Sequence, residues 1–227
     1  MTRFNKNTMN KTKKTILNHQ KKNKTLPTSV KMTEMDNNKT LTINKAQYMG
    51  LYEAQNLFHK NHGRQPNYVT LNSTATNPVI LMHQPNSYTC CPTSLQMCLQ
   101  YLFEFKSINE ISKALQTNTN GTTPTNLING AKKLGYKTTT IPRTYEAVKD
   151  SLDNGYPVIA HIETGGTTKP QCLGYINNYG HYIHINKAQN NKYTILDHTK
   201  GIKTCQASSI NKATNGRNIQ YYKIQPQ

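Results

Sequence analysis

Two kinds of hydrophobic pattern follow one another after residue 80, and their order constrains the fold more than any other feature of the sequence. Apolar side chains first recur at helical spacing and later form short apolar or alternating runs. The helical segments cover residues 91–103, 108–115, 124–134 and 145–154, and the expected strands cover residues 158–162, 181–186, 193–197 and about 219–224. Helices followed by antiparallel strands predict an α+β fold.

The amino-terminal third lacks this pattern. Residues 1–39 are rich in lysine and asparagine, contain no acidic residue before Glu34 and show almost no apolar periodicity, so a disordered basic arm is expected. Residues 40–72 contain one amphipathic helix that ends before Gly63 and one short strand, a unit too small to bury much surface alone. The remaining residues, 73–227, are expected to form the main domain.

The chain is strongly basic, with a net charge of +18 over 227 residues. This charge predicts attraction to polyanions, a class that includes nucleic acid, anionic membrane surfaces and acidic cell-wall polymers, without choosing among them. We expect no specific nucleic-acid recognition. No apolar run approaches membrane-spanning length and no secretory signal begins the sequence, so we expect synthesis in the cytoplasm and action elsewhere only after release.

The cysteines indicate a reactive thiol and not a disulfide framework. Their number is odd, at five, and none has Cys-x-x-Cys spacing, which supports neither a disulfide framework nor a zinc site. Cys90 and Cys91 immediately precede Pro92, which is well placed to begin a helix. The positive end of a helix dipole favours a thiolate there. Cys90 lies nearer the helix terminus and is the candidate nucleophile, whereas Cys91 is expected to pack in the first turn.

A nucleophilic thiol needs a histidine base and a group that orients the base. The candidate bases are His83, His161, His181, His184 and His198. Among the four aspartates, Asp197 is the one that ends an apolar strand. A hairpin centred on Gln189 would place His181 opposite Asp197 on one face and turn His184 to the other. A bulge within residues 187–191 would shift this register by one and reverse the faces.

Gln84 lies six residues before Cys90, on the approach to the helix. Its side-chain amide could form an oxyanion hole together with the backbone N–H of Cys90. The residues alone therefore predict Cys90, His181 and Asp197 as catalytic groups, with no metal ligand among them.

The segment GRQPNYVTL, residues 63–71, resembles the end of a pseudomurein-binding repeat. In that family, several such repeats attach proteins to the pseudomurein wall of methanogenic archaea. The resemblance covers one repeat and implies wall contacts through Tyr48, Pro66, Asn67 and Tyr68. For a single unit, a structural linker is the alternative.

The main domain resembles a second family over about residues 80–224. The resemblance lies in Gln84 and in the strings TCCPTSLQM (residues 89–97), GHYIHI (180–185) and LDHTKG (196–201). These resemble the signature blocks of the bacteriocin-processing-like branch of papain-like cysteine peptidases, which implies that fold. The resemblance implies that Cys90 is the nucleophile, His181 the base and Asp197 the group that orients the base. It implies that Gln84 is a donor in the oxyanion hole. Cys91 replaces the usual glycine, and His198 replaces the usual proline.

Together the two resemblances imply a pseudomurein endoisopeptidase like those of methanogens and their viruses or prophages. Such an enzyme hydrolyses the ε-Ala-Lys cross-links of the wall and lyses the host cell. The chemistry requires no cofactor, although the resembled family is associated with divalent cations such as Ca²⁺. The alternatives are a papain-like peptidase or acyltransferase with another peptide substrate, and a non-enzymatic wall-binding protein.

Overall fold

A computed structural model of the protein describes residues 1–213 and 219–227. The chain forms two compact units. The first comprises Met1–Ile80 and Leu99–Phe105, and the second comprises Leu81–Cys98 and Lys106–Gln227. Within the described ranges, no helix combines the length and the apolar character that crossing a membrane requires.

The first unit contains two copies of one strand–helix–strand motif. The elements are β1 (Arg3–Asn5), α1 (Lys6–Asn23), β2 (Ser29–Thr33), β3 (Thr40–Asn44), α2 (Lys45–His62) and β4 (Tyr68–Thr70). Both helices have 18 residues, with Asn5 and Asn44 as N-caps whose side chains accept a backbone N–H. Both end at a left-handed residue, Lys24 or Gly63. Equivalent positions differ by 39 in residue number, as Asn5 and Asn44 do.

The strands of the two copies pair crosswise. β1 pairs antiparallel with β4, with Phe4 opposite Val69, and β2 pairs with β3, with Val30 opposite Ile43. Each pair takes one strand from each copy, so the copies interlock instead of following one another in series. Their shared core consists of Phe4, Met9, Ile16, Val30, Met32, Ile43, Tyr48, Met49, Leu51, Tyr52, Val69 and Phe103.

The prediction of a disordered arm over residues 1–39 is wrong, because this segment forms the first copy of the motif. The sequence of α1 hides its periodicity, since the polar residues Thr12 and Gln20 occupy buried positions beside Met9 and Ile16. The prediction of a single unit at residues 40–72 is corrected for the same reason. Two copies, not one, supply the core.

The second unit is built on a six-stranded antiparallel sheet with the order β5-β10-β6-β7-β8-β9. Its elements are α3 (Cys90–Tyr101), α4 (Ile108–Ala114), α5 (Pro124–Lys133), β5 (Tyr136–Ile141), α6 (Tyr145–Asp153), β6 (Val158–Glu163), β7 (Gly180–Gln189), β8 (Lys192–Asp197), β9 (Gly201–Gln206), α7 (Ala207–Asn211) and β10 (Tyr221–Pro226). The last turn of α3, from Leu99 onward, is counted with the first unit. The α+β class is confirmed. The sequence did not predict β5 and β9, because these two edge strands contain few apolar residues.

The turn of the β7–β8 hairpin differs from the predicted one. Asn190 and Asn191 both have positive φ, at 52° and 56°, and form a two-residue turn, so the hairpin is not centred on Gln189. The turn alone would shift the predicted pairing by three residues, and a bulge between Ile185 and Lys187 takes one residue of that shift back. Together the two changes move the register by two residues.

A shift of two residues preserves the faces of a strand, because side chains alternate with a period of two. His184 stands opposite Leu196, so the continued ladder places Asp197 opposite Ile183 and diagonal to His181. The predicted direct pairing of His181 with Asp197 is therefore wrong in register, whereas their placement on a common face holds. The bulge restores the face that the turn alone would have reversed.

A disulfide joins Cys172 to Cys205, which corrects the expectation of no disulfide. Cys172 lies in the 3-10 turn Gln171–Leu173 between β6 and β7, and Cys205 lies on the edge strand β9. The bond spans a sequence separation of 33 residues and fastens the β6–β7 segment to the sheet.

Replacing both Cys172 and Cys205 with serine should lower the free energy of unfolding by about 2–4 kcal/mol, because the cross-link restricts the unfolded chain. Urea denaturation of the oxidised protein measures this loss. Each single variant should lose as much as the double variant, since either one breaks the bond. Losses that add across the single variants would contradict the bond and indicate independent packing.

Candidate active site

Cys90 lies at the amino-terminal end of α3. The residue before it, Thr89, accepts the first helical hydrogen bond on its backbone oxygen. Ser94, one turn further along, donates to the backbone oxygen of Tyr182 at 3.0 Å and fixes α3 against β7. The thiol of Cys90 is half-buried and forms a hydrogen bond with His181, which lies on β7 next to Tyr182.

His181 and Asp197 meet on one face of the sheet. Nε2 of His181 lies 3.5 Å from Oδ2 of Asp197, and the two side chains are 3% and 0% exposed. Because Nε2 faces Asp197, Nδ1 is the ring nitrogen left for the Cys90 thiol. The structure thus brings together the three residues that the sequence predicted as nucleophile, base and orienting group.

Tyr175 belongs to this site, although the sequence analysis missed it. Its hydroxyl lies 2.9 Å from Nε2 of His181 and donates to the carboxylate oxygens of Asp197 at 2.9 and 2.8 Å. Tyr175 lies in the irregular segment between β6 and β7, where no periodicity predicts its direction. The one sequence feature that could have indicated Tyr175 is its position as an aromatic residue shortly before β7, the strand that contains His181.

The surroundings of Cys90 and His181 favour a thiolate–imidazolium pair. Burial alone would raise the pKa of the Cys90 thiol, but the hydrogen bond and charge of His181, with the backbone N–H groups of Tyr182 and Cys91, lower it. Burial would lower the pKa of His181, yet hydrogen bonds and charges from Asp197 and Cys90 raise it to about 9. Both shifts express one effect, in which opposite charges stabilise each other at close range.

Asp197 stays ionised although it is buried. Burial alone would raise the pKa of this carboxyl, but the hydrogen bond and charge of His181 and the backbone N–H groups of Thr199 and Lys200 hold it well below its usual range. The two N–H groups donate to Oδ1 at 2.9 and 3.0 Å. The chain that follows β8 therefore fixes the carboxylate in position.

The other free cysteines are unsuited to nucleophilic attack. Cys91 is 0% exposed, and burial together with the charge of Cys90 raises its pKa. Cys98 is also buried, and its thiol contacts Nδ1 of His184 at 3.3 Å. Burial raises the pKa of Cys98 and lowers the pKa of His184 to about 4, so this second Cys–His pair is neutral and closed to substrate.

The remaining candidate histidines have other surroundings. His83 is exposed, and His161 stacks on Tyr182 with 4.2 Å between ring centroids. Nε2 of His198 lies 2.7 Å from the backbone oxygen of Tyr182 and must donate to it. Burial and the charge of His181 lower the pKa of His198 to about 4, so His198 is a neutral neighbour of His181.

A cleft of about 370 Å³ opens at Cys90. Its lining is polar and aromatic and consists of Ser87, Tyr88, Cys90, Thr119, Asn120, Gly121, Thr122, His161, Tyr179, Gly180 and Tyr182. No acidic side chain is among these residues, so the cleft suits a neutral or anionic peptide segment better than a cationic one. A depression of about 500 Å³ along α4 and α5 has no cysteine or histidine among its lining residues.

His181, Asp197 and His198 form a cluster whose ligand atoms lie within 4.8 Å of one another. Ca²⁺ binds six to eight oxygen ligands, whereas this cluster offers two imidazoles and one carboxylate. All three side chains already take part in the hydrogen bonds around the base. The cluster does not fit the divalent cation that the family resemblance implied.

Two of the four predicted wall-contact residues lie inside the first unit. Tyr48 is 0% exposed and donates its hydroxyl to a backbone oxygen of the first copy, and Pro66 is buried. This correction leaves Asn67 and Tyr68, which are exposed at the start of β4. The guanidinium of Arg3 lies 5.1 Å from the centre of the Tyr68 ring. The helical spacing of apolar residues that includes Tyr48 therefore belongs to the buried face of α2.

Comparison with known families identifies the class of enzyme. Residues 78–217, more than half of the chain, match the family described as Peptidase C39. The chain belongs to the peptidase C39 family. It is therefore a cysteine peptidase, and the C39 domain contains the thiol and imidazole described above. No curated protein matches the chain.

Several solved structures are similar to the C39 domain. The peptidase domain of Streptococcus ComA, a bifunctional ABC transporter involved in a quorum-sensing pathway, is 23% identical with a TM-score of 0.51 and covers 65% of this chain and 98% of its own. A double-glycine-motif protease from an AMS/PCAT transporter, in complex with the leader peptide, is 15% identical with a TM-score of 0.50 and covers 66% and 92%. These likenesses establish the papain-like α+β fold.

Gln84 of the C39 domain is half-buried, and its side-chain oxygen has no hydrogen-bond partner among the described residues. Its place in the oxyanion hole stays a prediction. Gln84→Ala should lower kcat by about 10²-fold to 10³-fold with little change in KM, because the lost donor acts on the transition state. Steady-state kinetics measure both constants. A rise in KM at constant kcat would instead assign Gln84 to substrate binding.

Proposed function

We propose that this C39 peptidase is an endoisopeptidase that hydrolyses the ε-Ala-Lys cross-links of pseudomurein. Cys90 would be the nucleophile, His181 the general base and Asp197 the group that orients the base. The observation that carries the catalytic part is the buried His181–Asp197 pair beside a thiol whose pKa is lowered. The substrate part rests on the first unit.

The thiolate of Cys90 would attack the carbonyl carbon of the isopeptide bond. The backbone N–H of Cys90 and the amide of Gln84 would stabilise the oxyanion that forms. Charged His181 would then protonate the leaving lysine amine and leave a thioester on Cys90. Neutral His181 would next take a proton from water, whose oxygen breaks the thioester and restores the thiolate.

The first unit supports a wall substrate. The sequence resemblance to a pseudomurein-binding repeat covers one copy, and the structure contains a second copy of the same strand–helix–strand motif. α1 also contains no acidic residue and exposes the lysines Lys11, Lys14, Lys21 and Lys22. Such a surface attracts acidic polymers. Asn67 and Tyr68 are the proposed wall contacts.

The disulfide supports a place of action outside the cytoplasm, because structural disulfides persist in oxidising surroundings. The proposed course is synthesis in the cytoplasm of a methanogen host, from a virus or prophage, followed by release and hydrolysis of the wall. Lysis of the host cell would follow.

Purified pseudomurein sacculi test the proposal. Incubation with the full-length protein should release soluble fragments whose lysine ε-amines are newly free, as identified by mass spectrometry after amine labelling. Cys90→Ala protein should sediment with the sacculi without releasing fragments, which separates binding from hydrolysis. Bacterial peptidoglycan is the matched control substrate and should stay intact.

A second candidate is cleavage of a leader peptide, which the similarity to the double-glycine-motif protease favours. A synthetic peptide with a Gly-Gly site distinguishes the two. Cleavage of this peptide together with intact sacculi would replace the proposed substrate while keeping the cysteine peptidase. Binding to sacculi without any cleavage would support a non-enzymatic wall-binding protein.

A further inference from the structure

The hydroxyl of Tyr175 lies between the base and its orienting carboxylate. It is 2.9 Å from Nε2 of His181 and 2.9 and 2.8 Å from the two oxygens of Asp197, whereas the direct distance from Nε2 to Oδ2 is 3.5 Å. The tyrosine oxygen is therefore closer to each partner than the partners are to each other. At 3.5 Å, the direct contact between His181 and Asp197 is longer than an ordinary N–H···O hydrogen bond, which measures about 2.7–3.2 Å.

The charges decide the direction of these hydrogen bonds. An ionised carboxylate accepts only, so Tyr175 donates its single hydroxyl proton to Asp197. Burial, followed by the charge of Asp197, raises the pKa of Tyr175, so the hydroxyl keeps this proton. The lone pairs of the hydroxyl oxygen remain, and the Nε2–H of His181 donates to them.

We propose that Tyr175 is a positioning residue of this active site, whose hydroxyl accepts the Nε2–H of His181 and links it to Asp197, so that Nδ1 is held towards Cys90. The proposal rests on the roles proposed for Cys90, His181 and Asp197. It does not depend on pseudomurein as the substrate.

The partners of Tyr175 cannot easily replace it. Asp197 is held by the backbone N–H groups of Thr199 and Lys200, so its carboxylate is not free to close the gap to His181. The ring of Tyr175 is itself held, because Nζ of Lys200 lies 5.0 Å from its centre. The disulfide at Cys172 also anchors the segment that carries Tyr175.

Tyr175→Phe tests this role, because it removes the hydroxyl and keeps the ring. The Nε2–H of His181 then loses its acceptor, and the pKa of His181 should fall by about one pH unit, which corresponds to a roughly tenfold change in protonation equilibrium. NMR titration of ¹⁵N-histidine-labelled protein measures this pKa, with the His181 signal identified by its loss in His181→Ala. The pH at half-maximal alkylation of Cys90 by iodoacetamide should rise in parallel.

The other titratable groups that face His181 are unchanged in this variant. They are Cys90 at the start of α3, Tyr179 in the segment before β7, Asp197 at the end of β8 and His198 after it. Tyr193→Phe is the matched control, because Tyr193 is also buried in the second unit and its hydroxyl donates to the backbone oxygen of Thr144 at 3.2 Å. This control should lose stability without moving either pH value.

An unchanged or increased pKa of His181 in Tyr175→Phe would overturn the proposal and leave Tyr175 as a packing residue. A measurement on the wild-type protein is independent of the variant: the Nε2–H proton of His181 should show a nuclear Overhauser contact with the Tyr175 ring. Absence of this contact would also overturn the proposal. Neither readout uses a wall substrate, so an enzyme that fails on pseudomurein can still confirm the role of Tyr175.

Discussion

Replacing Cys90 with alanine is expected to lower the rate of isopeptide hydrolysis by about 10⁴-fold or more, because covalent catalysis is lost and only binding and oxyanion stabilisation remain. The thiol of Cys90 is the one free thiol that is not fully enclosed and whose pKa is lowered, among the cysteines that the structure describes. Release of lysine ε-amines from sacculi measures the rate.

Cys91→Ala is the matched control for this prediction. The two cysteines are neighbours in sequence, but Cys91 is buried and its pKa is raised, so its loss should change the rate by less than about tenfold and act mainly through packing. Hydrolysis that survives in Cys90→Ala and disappears in Cys91→Ala would reassign the nucleophile.

Removal of His181, the proposed base, has the second-largest expected effect. His181→Ala should lower hydrolysis by about 10³-fold, because both proton transfers lose their carrier. The variant should also raise the pKa of Cys90, since the hydrogen bond and charge that lower it are removed while burial remains. The pH at half-maximal alkylation by iodoacetamide should then exceed about 8.5, the value for a free thiol.

His83→Ala is the control for His181→Ala, because His83 is an exposed histidine of the same unit. Its alkylation profile should match that of the wild type. If Cys90 in His181→Ala kept the wild-type alkylation profile, the thiolate would owe its stability to the helix terminus and not to His181.

The raised pKa of His181 is expected to set the alkaline limit of the reaction. The imidazolium is present below its folded-state pKa of about 9 and is lost as the pH rises through that value. Its contribution to folding has the same sign: it is complete below the unfolded pKa of about 6.5 and disappears as the pH passes about 9. Wild-type hydrolysis should therefore decline above about pH 9.

The sequence by itself determined the class of the second unit and the identity of the three catalytic candidates. Local information was sufficient for this, because helical and strand periodicity, a cysteine before a helix-starting proline and an aspartate at a strand end are all visible over short windows. The common face of His181 and Asp197 also followed from alternation. The predicted register was wrong by two residues, an even number that leaves faces unchanged.

Tertiary structure decided what local patterns do not encode. Residues 1–39 have too few apolar side chains to indicate a helix, yet they fold because the second copy supplies the other half of their core. Tyr48 is buried in the core and is therefore not a ligand contact. Its burial could not be predicted locally, because it depends on the surface that packs against α2.

The position of Tyr175 was decided in the same way. A tyrosine in an irregular segment has no periodic signal, and its direction depends on long-range contacts with β7 and β8 and on a disulfide to β9. The sequence predicted the nucleophile, the base and the carboxylate, because each is tied to a local element. Only the assembled sheet shows that a hydroxyl stands between two of them.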